Sequence, residues 1–388
     1  MGGARTHASA EVPVGEQSDG GGRAHGSAFV RAARLSVVAL LFSLGSAAHA
    51  QAGVTVDQEG GFSAATANQS DAGHRATIST ISAATRIEQG NVARISQTGI
   101  EADEALIRQG LGTRTSGADA TIEQAGGGGN FALIDQNVTY GATRVYSVIL
   151  QDGTGNSATT YLISEYSLDD ATRIVQIGAN NTALQTKESA RGGALTIEQT
   201  SPFTVGTGGN VATQRAHGSV SAVLLIRQAG SGNEAIQDVA EATSATTLQF
   251  GDDNLATIRS LSGTLNDLRI EQGTGLSSAD GNVAHLVVSG SGNSAVVLQH
   301  SDGNWVNADL SAGSTLMVTQ DGLVGSQLVG ITGGALDPSA AARITGGSVL
   351  TLVQTGGGAN VAAVDLTAGG AASITQDGYN NSALVIQR

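Results

Sequence analysis

The chain has 388 residues, with 55 Gly, 13% charged and 3% aromatic residues, no Cys, and a formal net charge of −14. The missing Cys excludes disulfide frameworks, thiolate zinc sites and cysteine nucleophiles, and the negative charge argues against nucleic-acid binding and docking on anionic lipid. At 40% hydrophobic the chain is too apolar for typical disorder, so closely stacked strands joined by tight turns fit the composition.

Residues 1–50 read as a secretory signal. Leu35 to Leu44 form an apolar run, LSVVALLFSL, preceded by Arg31 and Arg34 and followed by Ala48-His49-Ala50. A basic flank, a short apolar run and an A-x-A site are the three parts of an export signal. The run is too short for a permanent membrane helix, and no other segment is apolar enough to span. Cleavage is expected before Gln51. Val30, as an alternative start to Met1, would give the signal an ordinary length. The expected mature chain, residues 51–388, carries 15 basic and 30 acidic residues, with Lys187 as its only lysine.

From Gln51 onward the chain is one repeat. Gln376 to Gln387, QDGYNNSALVIQ, reads Q-x-G-x-x-N-x-A-x-x-x-Q. The first eight positions recur without a gap at Gln151, Gln176, Gln228 and Gln249, and with one extra turn residue at Gln124 and Gln354. At Gln97 the Asn becomes Asp103, and at Gln58 it becomes Ser63; looser copies start at Gln199, Gln272, Gln299 and Gln320. Such self-similarity marks a repeat architecture.

Inside each copy the period is two. The residue two before the anchor Gln is aliphatic in nearly every copy, as at Ile95, Ile122, Ile149, Ile174 and Ile374. After the turn, alternation resumes through Asn130, Ala132, Ile134 and Gln136. Alternation bounded by Gly, Asn and Asp signals strand–turn–strand. Two short strands cannot bury enough apolar surface alone, so neighbouring units must stack. The expected fold is all-β, a two-sheet β-solenoid of cross-β type, with the Gln and Asn pointing inward and bonding to identical amides above and below. Thirteen anchors, from Gln58 to Gln376, would span about 60 Å at one coil per strand spacing. Pro202 and Pro338 fall in irregular inserts, where no ladder bond is lost.

This pattern resembles the curlin repeat, S-x5-Q-x-G-x-x-N-x-A-x3-Q, over about residues 54–388. Curlins are the subunits of curli, extracellular amyloid fibres of bacterial biofilms. The resemblance implies a fibre subunit that polymerises by cross-β templating and supports adhesion and biofilm matrix. Its implied partners are itself, other curlin-type subunits, an outer-membrane curli secretion channel and periplasmic chaperones. By position, the curlin amide ladders map onto Gln124, Gln151, Gln176, Gln228, Gln249, Gln354 and Gln376. Their partners across the turn are Asn130, Asn156, Asn181, Asn233, Asn254, Asn360 and Asn381, with Gln387 closing the last unit. Leu162, Lys187, Val239, Ser260, Leu310 and Leu366 replace the closing Gln elsewhere.

Other constellations are weak. His74, His217, His285 and His300 are scattered without metal spacing and are expected on outer faces. Asp152, Asp302, Asp321 and Asp377 precede Gly in turns; the G-G-x-G-x-D nonapeptide of calcium β-rolls is missing, so they read as turn formers and charge gatekeepers. Glu123, Glu198, Glu271 and Trp305 are expected to point outward. With no P-loop, no G-x-S-x-G and one lysine, no enzyme, cofactor or metal is expected. The alternative is a monomeric β-solenoid adhesin or a calcium-stabilised β-roll.

Overall fold

A computed structural model describes residues 53–60, 63–70, 73–82, 90–110, 117–138, 143–164, 168–188, 193–203, 208–217, 222–240, 244–262, 267–273, 280–289, 294–311, 315–322, 327–329, 331–332, 335–336, 342–344, 349–356, 360–366 and 371–387. The expected signal, its Ala48, Ala50 and Gln51 cleavage site, Val30 and Pro338 lie outside the described residues. Within them the protein is all-β. Its strands run in chain order from β1 (Gly53–Gly60) to β30 (Ser382–Gln387).

Consecutive strands alternate between two parallel sheets. The first holds 15 strands: the odd-numbered ones from β1 to β23 (Gln327–Val329), then β26 (Ala342–Ile344), β28 (Val361–Leu366) and β30. The second holds 13: the even-numbered ones from β2 (Ala64–Ser70) to β22 (Thr315–Gly322), then β27 (Val349–Gly356) and β29 (Ala371–Asp377). One coil is therefore a strand of the second sheet, an arc, and a strand of the first sheet. The order is a β-solenoid, as the period-two pattern requires. Among the described strands, only those after β22 depart from it. There β24 (Ile331–Thr332) and β25 (Ala335–Leu336) form an antiparallel pair, and β23 and β26 share one level between β21 (Trp305–Ser311) and β28.

Register keeps like on like. Ile122, Ile149, Ile174, Ile197 and Ile226 lie in one column of the second sheet. Ala132, Ala158, Ala183, Ala212 and Ala235 lie in one column of the first. All ten are at most 2% exposed. Small residues facing branched ones let the sheets approach closely, and each buried Ile contributes roughly 1.5–3 kcal/mol. The Gly two residues after the anchor is required where the arcs cross. Gly153 has φ +132°, and a Cβ there would lie 1.9 Å from the Gly178 carbonyl oxygen of the next coil.

Candidate functional site: amide ladders and open edges

The anchor glutamines form one unbroken column in the second sheet: Gln69, Gln97, Gln124, Gln151, Gln176, Gln199, Gln228, Gln249, Gln272, Gln299, Gln320, Gln354 and Gln376. In each but the last, Gln376, Nε2 donates to Oε1 of the next coil toward the C-terminus, at 2.6 to 3.1 Å. The same amide donates across the core to a backbone carbonyl of the preceding coil's other strand, as Gln124 to Glu104, Gln151 to Phe131 and Gln176 to Ser157. Burial of the amide is thus matched by bonds in two directions, which removes the usual cost of a buried polar group.

The arc asparagines form the second column. The N–H of Asn156 donates to Oδ1 of Asn130, that of Asn181 to Asn156, of Asn233 to Asn210, of Asn254 to Asn233 and of Asn381 to Asn360. In several the Nδ2 reaches the glycine carbonyl one coil on, as Asn130 to Gly153, Asn156 to Gly178 and Asn233 to Gly251, whereas Asn181 Nδ2 donates to Ser201 Oγ. The column also takes in Asn210, Asn282 and Asn304, whose spacing from the anchor is altered by turn insertions or looser copies of the motif. The Gln387 side chain lies outside the described ones; its backbone pairs with Leu366.

Two placements differ from the sequence reading. Gln58 is not an anchor. It lies in the first sheet, opposite Thr80 in the closing column, and the first anchor is Gln69. An eleven-residue Gln-to-Gln spacing fits either arc of a coil, so spacing alone cannot tell which arc it crosses. His74 is not on an outer face. It is fully buried at the arc position that Asn holds elsewhere, and its Nδ1 accepts the Asp103 N–H at 3.2 Å. Asp103 then plays the same part for Asn130. Burial raises the Asp103 carboxyl above its usual value, opposed by the Asn130 hydrogen bond and the nearby His74.

Lys187 is fully buried and bonds to the fully buried Asp170 of its own coil. One coil earlier the matching positions hold Leu162 and Val145, packed on each other. Beside this pair runs a short inner amide column that the repeat did not announce, Gln185 to Gln214 to Gln237 to the Thr247 hydroxyl, at 2.9 to 3.0 Å.

Outward positions carry charge along the stack. Glu198 accepts from Arg173 and Arg227 in the flanking coils at 2.8 to 2.9 Å. Burial raises its pKa, but the two guanidinium hydrogen bonds outweigh that and hold the carboxyl below its usual value. Glu123, Glu271 and Trp305 point outward as expected. Among the described residues no group of His, Asp or Glu is arranged to hold a metal, and no helix is long and apolar enough to cross a membrane.

At the C-terminal end of the described stack the outer strand edges have no described partner. Among the described strands, β29 pairs only with β27, and β30 only with β28. No family model matches the chain, and no curated protein matches it.

Proposed function

We propose that this chain is the structural subunit of an extracellular curli-type fibre, exported by its N-terminal signal and polymerising by coil-on-coil stacking. The carrying observation is the directed glutamine column. Its last member, Gln376, has no further glutamine to donate to among the described residues and bonds only across the core, to the Val361 carbonyl, while Oε1 of its first member, Gln69, is buried without a hydrogen-bond partner. A second copy stacked head-to-tail joins the two, while tail-to-tail contact sets donor against donor. Open parallel edges of this kind are templates for another chain. Fibres so built would serve adhesion and biofilm matrix. An outer-membrane channel, periplasmic chaperones and other curlin-type subunits are the partners that the repeat resemblance suggests.

The test is a lag-time series by thioflavin T and electron microscopy on the purified chain, beside a Gln376→Ala/Asn381→Ala variant. The wild type should give cross-β fibres, and the variant a markedly longer lag. A wild type that remains a soluble monomer at high salt, or a variant that assembles equally fast, would overturn the reading.

A further inference from the structure

The two sheets are unequal at the N-terminal edge. β2 and β3 (Arg75–Ser82) make the first complete coil, and β1 adds a further strand to the outer edge of β3. It is held in register over its whole length, from Gly53↔Arg75 to Gly60↔Ser82. Among the described strands nothing matches it in the second sheet, where β2 pairs only with β4 (Val92–Thr98). β1 is half a coil. Its inward Val54 and Val56 are half-buried, whereas their column neighbours Ala76 and Ile78 are 0% exposed. Both amide atoms of Gln58, and Oε1 of Gln69, have no hydrogen-bond partner.

The bond that seats β1 is one that recurs through the stack. The leading N–H of a first-sheet strand donates to the arc carbonyl one coil on, as Glu104 to Asn130, Phe131 to Asn156 and Val361 to Asn381. In β1 that donor is Gly53, and the acceptor is the His74 carbonyl at 2.9 Å. In a copy stacked beneath, the corresponding strand is β30, its leading residue is Ser382, and the acceptor in register is the same carbonyl. β1 also copies the column pattern of β30, with Val54, Val56 and Gln58 where β30 has Ala383, Val385 and Gln387.

We propose that β1 is a strap on the self-docking surface: it occupies the seat on β3 that strand β30 of a second copy takes, and must be displaced for fibre growth. Seating β30 on top of β1 instead would leave the second sheet one strand short at each junction. Gln376 and Gln69 would then stand two spacings apart, about 9.6 Å, and the amide column would break. Exchange forms a strand pair in each sheet and gives up one. The inference rests on the fibre reading above.

The chain has no Cys, so a clean lock is available. Thr55 and Thr77 face outward as register partners on β1 and β3, and neighbouring strands lie within the span of a disulfide. A Thr55→Cys/Thr77→Cys chain, oxidised, should form no fibres while wild type completes assembly, and reduction should restore the wild-type lag. A Val56→Asp chain, which loosens the strap alone, should shorten the lag about tenfold, the rate equivalent of withdrawing one half-buried valine. If wild type assembles and the oxidised lock assembles equally fast, or Val56→Asp does not shorten the lag, the strap is overturned and the fibre reading stands. If wild type does not assemble at all, the fibre reading itself fails.

Discussion

Lys187 and Asp170 form a fully buried ion pair, in which each charge depends on the other. Burial pushes the Lys187 ammonium below its usual value, and the hydrogen bond and charge of Asp170 oppose that shift. Removing one partner leaves the other charged and buried, whereas replacing both with apolar groups is often neutral or better. Lys187→Met alone should therefore cost about 3–5 kcal/mol. The double change Lys187→Leu/Asp170→Val, which copies Leu162 and Val145 one coil earlier, should recover most of it. Denaturant melts of the two variants check this; equal losses in both would show that the pair acts as no unit. Sequence showed that Lys187 stands where the repeat wants Gln, but not what answers it. Asp170 lies in a strand preceding the anchor, outside the repeat's fixed positions, so only the fold brings the two together.

At the level of the arc, the sequence pattern predicts the structure well because each fixed residue has one physical task. Gln and Asn bond along the stack, Gly153 and its column mates clear the crossing backbone, and Ala keeps the sheets close. It fails where a different residue performs the same task, as His74 does in accepting an N–H on a ring nitrogen. Asp103 is the intermediate case. It keeps the Oδ1 acceptor but has a carboxyl oxygen, Oδ2, buried without a hydrogen-bond partner, where Asn would donate to the next glycine carbonyl. A carboxyl whose folded-state pKa is raised gives stability that is complete below its unfolded value, near 3.8, and lost as pH rises through the folded value. Asp103→Asn should therefore stabilise the fold by about 1–2 kcal/mol at pH 7 and reduce the gain that wild type shows on acidification. Urea melts at neutral and mildly acid pH are the measurement; an unchanged pH dependence would mean that other groups carry it.

For the whole molecule, net charge opposes what the edges invite. At −14, like chains repel over about a Debye length, which shrinks from roughly 30 Å at 0.01 M salt to about 8 Å at 0.15 M. Longitudinal pairs such as Arg173–Glu198–Arg227 bind coils already stacked and are too exposed to reverse this. Salt should shorten the assembly lag across that range, and a lag independent of salt would mean that encounter between chains is not limiting. The stacking itself was readable from one repeat, since an incomplete core per unit forces it. The half-coil excess at β1 was not, because Gln58 satisfies the repeat's spacing from the wrong sheet.

A single lysine with no exposed surface makes the folded chain nearly blind to amine chemistry. Acylating dyes, aldehyde fixatives and lysine-directed proteases find no side-chain target in the folded chain, yet meet one accessible side-chain amine, beside the terminal α-amine, in every unfolded copy. Labelling of Lys187 is thus a built-in gauge of folding, one side-chain mark per chain over the constant mark at the terminal amine, read by mass as assembly proceeds.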